Sequence, residues 1–435
     1  MANLTVALNG IEVGRLSLGR SGAMAFRYLP EWLDRPGARA ISLSMPLSSA
    51  SYRGAVVYNF FDNLLPDSEA IRARMQAKFQ LATGHPFDLL AAVGRDCIGA
   101  IQLYPETDTI PNVRQITAEP LDETDIATLL SGYQELPLGM HRDGDFRISL
   151  AGAQEKMALL WHRECWHRPS FATPTSHIFK LPIGFLSHSN IDLRDSNENE
   201  WLCLKILEAF GVPVANAELA RFEQHTVLVV ARFDRRWSSD GSWLMRLPQE
   251  DFCQALGIAP ALKYENDGGP GIRAGMELLM GSQQATSDRE NFFKAQIMFW
   301  LLAAIDGHAK NFSVFIEPQT AYRMTPLYDV ISAYPLMAKG SLPEAKARMA
   351  MSLKGKNRHY HWSRFLPRHF LSTAQQVGFS RRRTLEIIQS ILAQADAAMS
   401  RVAALLPDDF PDTVSAPIME GLGRQLKRLE KDIDQ

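Results

Sequence analysis

Three patterns in the sequence indicate an α+β fold with two lobes, the first rich in strands and the second helical. Short apolar runs of strand length recur between residues 147 and 246, for example Val227-Leu228-Val229-Val230-Ala231. Residues 198–210 carry apolar side chains at roughly helical spacing, and Gly211 follows where a helix cap is expected. After Pro248 the pattern is mostly helical, up to a closing segment at 419–433.

The chain begins with a hairpin pattern. Residues 4–8 and 11–16 flank Asn9-Gly10, a strong signal for a two-residue β-turn. Helical patterns follow at 58–65 and 67–79, and residues 105–123 contain proline and acids without periodicity, as in a linker. We therefore predict an N-terminal subdomain at 1–105, a β-rich lobe with its linker at 106–246, and an all-helical lobe at 247–435.

Composition excludes several classes of protein. The 435 residues are 46% hydrophobic and 22% charged, as in ordinary globular proteins with more than one core. The longest apolar run, around 297–305, is far shorter than the roughly 20 residues that span a bilayer. The four cysteines form no C-x-x-C pair, and the N-terminus lacks a secretory pattern. We expect a cytoplasmic protein with reduced thiols that does not bind a membrane.

The most informative stretch is Asp306-Gly307-His308-Ala309-Lys310-Asn311, which follows an apolar run and precedes Tyr328-Asp329. An aspartate five residues before an asparagine, with a second aspartate 18 residues later, is the polar layout of a protein-kinase active site. Asp306 would take the proton of the substrate hydroxyl, and Asn311 and Asp329 would supply the oxygen ligands that Mg²⁺ prefers. Asp-x4-Asn alone is common by chance, but the strand-like run at 312–316 strengthens it.

Two charged residues upstream fit the same layout. Lys180 ends an apolar strand, where its ammonium group could reach the α- and β-phosphates of ATP. Glu200 lies in the amphipathic helix, placed like the glutamate that anchors this lysine in kinases. Either residue alone is more often a surface charge, and the order of both before Asp306 favours the functional interpretation.

Two further segments have weaker signals. Residues 147–156 are small and polar in the middle, so their N–H groups could approach phosphate, although an ordinary β-turn looks the same. Ala231-Arg232-Phe233-Asp234-Arg235 follows an apolar strand, where a hinge that binds adenine is expected. Arg232, Asp234 and Arg235 could equally form a structural ion-pair cluster, and both interpretations can hold together.

The net charge of −2 conceals a basic segment. Residues 339–383 contain eleven Lys and Arg residues and a single acid, Glu344. A solvated helical surface is the commoner explanation for such a run. The triplet Arg381-Arg382-Arg383 keeps contact with nucleic-acid phosphates open.

Together these segments resemble the HipA family of bacterial serine/threonine kinases, the toxins of type II toxin–antitoxin pairs. The resemblance runs nearly end to end. It is carried by residues 57–67, 149–156, 232–235, 247–251 and 306–311, and by Tyr328-Asp329.

The resemblance implies a bilobed fold related to eukaryotic and phosphoinositide kinases, which binds ATP and Mg²⁺ between its lobes. It implies Asp306 as the catalytic base, Asn311 and Asp329 as metal ligands, Lys180 as the phosphate-binding lysine and Glu200 as its anchor. Ser149 would be autophosphorylated, which switches the enzyme off. The implied ATP-binding residues are Ala151, Gly152, Ala153, Gln154, Glu155, Lys156, Lys180, Ala231, Arg232, Phe233, His308, Ala309, Lys310, Asn311, Tyr328 and Asp329.

The family also implies partners. A HipB-like helix-turn-helix antitoxin dimer would recruit the chain to operator DNA, where Arg381 and Arg382 could contact phosphates. The substrates of the family are translation components, notably aminoacyl-tRNA synthetases such as glutamyl-tRNA synthetase, whose phosphorylation arrests growth and causes persistence. Two alternatives stay open from the sequence: a chain that serves mainly as a co-repressor, and a small-molecule kinase on the same fold.

Overall fold

The computed structural model describes residues 2–132, 150, 154–186 and 190–432. In chain order its first elements are β1 (Ala2–Leu8), β2 (Ile11–Leu18), β3 (Met24–Tyr28), α1 (Pro30–Leu33), β4 (Tyr52–Arg53), α2 (Ala55–Asp62), α3 (Glu69–Lys78), α4 (Pro86–Val93), β5 (Ile101–Pro105), β6 (Ala118–Leu121), α5 (Glu123–Ser131), β7 (Lys156–His162), β8 (Cys165–Pro169), β9 (His177–Lys180), β10 (Gly184–Leu186), β11 (Ile191–Leu193) and α6 (Ser196–Ala209). The later elements are β12 (Ala217–Phe222), β13 (His225–Ala231), β14 (Arg235–Trp237), β15 (Leu244–Arg246), β16 (Gln249–Asp251), α7 (Phe252–Ala255), α8 (Ile272–Leu278), α9 (Ala285–Leu301), β17 (Ser313–Ile316), β18 (Tyr322–Met324), α10 (Tyr334–Ala338), β19 (Arg348–Lys354), β20 (Arg358–His361), α11 (Pro367–Gln376), α12 (Arg381–Ala403) and α13 (Asp412–Asp432).

The chain forms two compact units, which interleave along the sequence. The first contains Met1–Leu181, Ala220–Ala261 and Val314–Tyr322, and the second contains Pro182–Leu219, Leu262–Ser313 and Arg323–Gln435. The mixture of sheets and helices confirms the predicted α+β class. The three-domain partition stays a prediction. Across the described ranges, no helix is both long and apolar enough to cross a membrane.

Most strands of the two largest sheets lie in the first unit. One sheet has the order β4-β3-β2-β1-β5. The predicted hairpin is confirmed, because Asn9 and Gly10 have φ angles of 47° and 75°, and these left-handed values suit a primed turn. In the second sheet β13, β9, β7, β8 and β6 lie side by side in that order.

One difference from the sequence prediction concerns the supposed linker. Residues 118–121, within the predicted linker at 105–123, form β6, which pairs antiparallel with β8. Pro120 lies opposite His167 in this pair. Proline lacks an N–H donor but is tolerated at the edge of a sheet, where β6 lies. The proline therefore made a true strand look like a connection.

The second unit has α9 at its centre, with large apolar residues buried along its length, including Phe292, Ile297, Phe299 and Trp300. The Nε1–H of Trp362 donates a hydrogen bond of 2.8 Å to the carbonyl oxygen of Trp300. Helix α6 matches the predicted helix, and Gly211 follows it with a φ of 71°, as a C-terminal cap requires.

The prediction that residues 247–435 are all helical is wrong. Strands β16 to β20 lie within this range, and β19 pairs antiparallel with β20, with Arg348 opposite His361. The interior of β19 is buried on both faces. A short apolar run buried on both faces does not alternate, so its pattern cannot be told from that of a buried helix.

Candidate active site

The predicted catalytic segment follows α9 in the second unit. Gly307 packs directly against Phe299, since a Cβ at Gly307 would lie 2.4 Å from its ring. The carbonyl oxygen of Asp306 accepts hydrogen bonds from the His308 N–H at 2.8 Å and from Asn311 Nδ2 at 3.0 Å. These bonds fix the loop, while the residue Asp306 itself is exposed. Its carboxylate therefore sits at the surface of a rigid turn.

The second predicted aspartate lies beside this loop. Asn311 Nδ2 also donates to the carbonyl oxygen of Asp329, at 3.3 Å. Asp329 has a φ of 60°, a left-handed conformation that is uncommon for a residue with a side chain. Its N–H donates to Oε1 of Glu200, at 3.1 Å. The structure thus brings Asp306, Asn311, Asp329 and Glu200 together within one unit.

Helix α6 holds the Asp329 segment at a second point, which the sequence did not reveal. The side chain of Asn199 accepts from the Ser332 N–H and donates to the Ser332 carbonyl oxygen, both at 2.8 Å. Glu200 and Asn199 are both buried. Glu200 therefore has a role beside its predicted one, because it positions the backbone of Asp329. Its ion pair with Lys180, which belongs to the other unit, stays a prediction.

The oxygen donors of Asn311 and Asp329 fit a magnesium ion. The Asn311 amide nitrogen is directed to two main-chain oxygens, which leaves Oδ1 as the acceptor end of this side chain. Mg²⁺ is typically held by one or two carboxylates together with phosphate oxygens and water. Of the residues that the structure describes, no three His, Cys, Asp or Glu side chains cluster as metal ligands.

One contact to Asp306 was not predicted. The hydroxyl group of Tyr264 donates a hydrogen bond of 2.6 Å to Asp306 Oδ1. Tyr264 lies 42 positions earlier in the chain, in a loop without any motif, so no sequence signal could have linked the two. A pocket of about 230 Å³ adjoins this pair, lined by Tyr264, Asn266, Asp267, Ile305, Asp306, Arg348, Met349 and Ala350.

In the first unit, Lys180 lies on β9 directly opposite Lys156 on β7. Directly opposed residues of an antiparallel pair point to the same face of the sheet. Both lysines are buried, with 6% and 8% of their surfaces exposed. Two lysines on one face of the sheet bring positive charge to that face, which is the charge that binding a polyphosphate requires.

Four predicted residues lie outside the described ranges. They are the predicted phosphorylation site Ser149 and three residues of the predicted phosphate loop, Ala151, Gly152 and Ala153. Gln154 Nε2 donates to the Leu181 carbonyl oxygen at 2.6 Å, which joins the end of this loop to β9. Glu155 forms an ion pair with Arg74. The Gln154 bond and the pairing of Lys156 tie this segment to the strand of Lys180, and the ion pair joins Glu155 to α3.

At the predicted hinge, Ala231 ends β13 opposite His177. The N–H of Arg232 donates to the Ser176 carbonyl oxygen at 2.9 Å, and its own carbonyl accepts from Arg235. Phe233 packs edge-on against Phe315, with ring centroids 5.8 Å apart. Its hinge role stays a prediction.

The side chain of Arg232 belongs to a buried ionic cluster, which confirms the structural alternative for this residue. The cluster contains two carboxylates and three guanidinium groups, from Asp96, Asp234, Arg232, Arg235 and Arg246. Burial alone would raise the pKa of Asp96, yet the three arginines hold that pKa well below its usual range. Burial, reinforced by Arg232, lowers the pKa of Arg235 to about 10.

The other predicted ATP-site residues of the second unit lie around the catalytic loop, with His308, Ala309 and Lys310 buried and Tyr328 half-buried. The ring of His308 packs edge-on against Tyr264 at 5.0 Å. Ala309 and Lys310 lie in the 3-10 turn that ends at Asn311. The hydroxyl of Tyr328 donates to the Lys310 carbonyl oxygen at 2.9 Å. All of these contacts brace the loop, and whether the residues also touch nucleotide stays a prediction.

Arg381 and Arg382 begin α12 and are exposed. Arg382 lies 3.7 Å from Glu386, and its neighbour Arg383 forms ion pairs with Glu290 and Glu386. The acids offset part of the positive charge of this helix end.

Comparison with known proteins gives consistent matches along the chain. The model of the HipA-like C-terminal domain matches residues 148–399, and the model of the HipA N-terminal domain matches residues 4–104. A putative kinase of Sinorhizobium fredii, Y4mE, is 32% identical over 354 residues, which cover 80% of each chain. The serine/threonine-protein kinase toxin HipA of Shewanella oneidensis is 25% identical over 341 residues, 76% of this chain and 75% of that protein.

A solved structure shares the fold. It is the toxin–antitoxin system of Shewanella oneidensis, HipA and HipB with operator DNA, and it matches with a TM-score of 0.81 at 21% identity. The match covers 99% of both chains.

Proposed function

This chain belongs to the HipA family of serine/threonine protein kinases, and we propose that it transfers the γ-phosphate of ATP to a protein of the translation machinery. The observation that carries the proposal is the arrangement of Asp306, Asn311, Asp329 and Glu200 within one unit. An oriented carboxylate beside two oxygen donors for a metal is what phosphoryl transfer requires of a protein.

Each residue has a role in the proposed reaction. The Asp306 carboxylate accepts the proton of the acceptor hydroxyl as its oxygen bonds to the γ-phosphorus and the bond to ADP breaks. Asn311 and Asp329 would hold Mg²⁺, which neutralises charge on the phosphates. Lys180 and Lys156 supply positive charge for the phosphates from a face of β9 and β7.

We also propose that the kinase inactivates itself by phosphorylating Ser149. Intact-mass spectrometry after incubation with Mg-ATP should show a gain of one phosphate on the wild type and none on Ser149→Ala. An Asp306→Gln variant should also gain none, because it lacks the proton acceptor. If the phosphate maps to another residue, self-inactivation at Ser149 is wrong although kinase activity stands.

For the protein substrate we propose an aminoacyl-tRNA synthetase, with glutamyl-tRNA synthetase as the first to test. The family assignment supports a translation substrate, and the pocket beside Asp306 is consistent with a hydroxyl-bearing side chain. Incubation of the purified synthetase with the kinase and labelled ATP, before and after addition of an antitoxin, measures the transfer directly.

We further propose that the chain acts as a co-repressor with a HipB-like antitoxin. The Shewanella oneidensis protein of the same fold was solved with HipB and its operator DNA. In this chain Arg381 and Arg382 are exposed at the start of α12 and are candidates for phosphate contacts.

Reversing both charges in Arg381→Glu/Arg382→Glu should weaken operator binding by the kinase–antitoxin complex. The logarithm of the affinity falls with the logarithm of the salt concentration, and each lost phosphate contact makes this negative slope less steep by about 1. The matched control is Lys427→Glu/Lys431→Glu, which reverses two exposed charges on α13. Equal affinities and slopes for both double variants would remove α12 from the DNA interface.

A further inference from the structure

The hydroxyl group of Tyr264 lies where it can control the orientation of the Asp306 carboxylate. Its hydrogen bond to Asp306 Oδ1 is 2.6 Å long. This length is short for a hydrogen bond between two neutral groups and typical of one from a hydroxyl to a carboxylate. Among the described residues, the hydrogen bonds of this carboxylate involve Oδ1 and not Oδ2. One oxygen is therefore engaged, and the other is left for an acceptor hydroxyl.

Tyr264 is itself held at its backbone and its ring. Its carbonyl oxygen accepts from the N–H groups of Asp267 and Gly269, at 3.1 and 3.0 Å. A side chain at Gly269 would collide with the Leu262 carbonyl oxygen, so this turn is tight. The tyrosine ring packs edge-on against the buried ring of His308.

The neighbouring residue joins the same loop to the catalytic segment. The carbonyl oxygen of Lys263 accepts from the Ala309 N–H, at 3.1 Å. The loop and the catalytic segment are thus linked by a main-chain bond and by the tyrosine–aspartate bond. A tyrosine fixed in this way is suited to stay in place during the reaction.

The pocket beside this pair gives access to the carboxylate. Its volume of about 230 Å³ corresponds to roughly eight waters at about 30 Å³ each, which is enough for one amino-acid side chain. Asn266 and Asp267 line one wall, and Arg348, Met349 and Ala350 at the start of β19 line another. The Arg348 guanidinium is held by Asn266 Oδ1 at 2.9 Å and lies over the Tyr360 ring.

We propose that Tyr264 is a positioning residue for Asp306, and that the pocket receives the protein segment that carries the acceptor hydroxyl. This inference rests on the proposed kinase function. The phenol of Tyr264 stays hydrogen-bonded to Oδ1 of Asp306. Oδ2 of Asp306 takes the proton of a serine or threonine hydroxyl that enters through the pocket. The new bond joins the acceptor oxygen to the γ-phosphorus, the bond to ADP breaks, and the proton ends on Asp306.

Replacing Tyr264 with phenylalanine keeps the ring and removes only the hydroxyl group. The rate of transfer at saturating ATP should fall about 10- to 100-fold, because a freely rotating carboxylate is rarely in the reactive orientation. The KM for ATP should not change, since no proposed nucleotide ligand is altered. The probe is incorporation of labelled γ-phosphate into the proteins of a bacterial lysate, measured over a range of ATP concentrations.

The matched control is Tyr360→Phe, which removes a phenol whose ring lies against Arg348. A Tyr264→Phe rate within twofold of that control would overturn the inference. So would a lower melting temperature together with a raised KM for ATP, because these indicate general damage. If the wild type transfers no phosphate at all, the proposed function itself fails, and the two failures are thereby distinguished.

The pocket is tested separately by filling it. Asn266 is exposed on the pocket wall, so Asn266→Trp should block the lysate proteins while ATP still binds in a calorimetric titration. Gln375→Trp places the same side chain at an exposed position of α11, outside the pocket. Equal transfer by the two variants would show that the acceptor segment does not enter here.

Discussion

Replacing Asp306 with asparagine is expected to lower the rate of phosphate transfer by about 10²- to 10⁴-fold, the usual contribution of a general base. Asparagine has nearly the same shape. The bonds from His308 and Asn311 go to the main-chain oxygen of residue 306, so they survive the change. What is lost is an oxygen that can take a proton. Initial rates of labelled phosphate transfer, with ATP affinity measured by calorimetry, separate the chemical step from binding.

The control for this variant is Asp396→Asn, which neutralises an exposed aspartate on α12. It should transfer phosphate at the wild-type rate. An Asp306→Asn protein that keeps its full rate would exclude Asp306 as the proton acceptor. A variant that loses ATP affinity instead would move Asp306 from the transfer step to nucleotide binding.

The sequence was informative wherever local chemistry decides the structure. Asn9-Gly10 predicted its hairpin because few residues adopt left-handed φ angles without strain. Helix α6 was found from its apolar spacing, with boundaries within two residues of the predicted ones. Asp306 and Asn311 were found because five positions suffice for the asparagine side chain to reach back to the aspartate carbonyl.

Contacts between distant segments were beyond the reach of sequence patterns. Tyr264 meets Asp306 across 42 positions, and Asn199 meets Ser332 across 133. Neither pair has a periodicity or a charge pattern that would join its members. Lys156 and Lys180 were both chosen as phosphate-binding residues, yet their direct opposition depends on the register of β7 and β9. A register shift of one residue would place them on opposite faces.

The ionic cluster around Asp96 provides the largest expected effect on stability. The carboxylate of Asp96 contacts Arg235 Nη2 and Arg246 Nε at 2.8 Å, and Arg232 Nη1 at 3.4 Å. Thr175 donates to it through both its N–H and its hydroxyl, at 3.2 and 2.9 Å. All three arginine side chains are at most 1% exposed. Water therefore cannot take the place of a missing carboxylate.

Asp96→Asn should lower the free energy of unfolding by about 3–5 kcal/mol, the usual effect of removing one partner from a buried ion pair. Asp234 would then be the one carboxylate left in a cluster with three guanidinium groups. The new amide would also direct an N–H group toward the N–H groups of the arginines, and two donors cannot form a hydrogen bond with each other. Chemical unfolding, followed by tryptophan fluorescence, measures the change.

Asp108→Asn is the matched control, because Asp108 also pairs with an arginine, Arg95, at 2.6 Å. The Asp108 side chain is 35% exposed, so water can solvate its partner after the change. Its loss should be below about 1 kcal/mol, as for surface ion pairs. Equal losses for the two variants would mean that the cluster is solvated in solution. The buried cluster holds the Arg232 side chain away from solvent, so the stability measurement also tests whether that side chain is available to nucleotide.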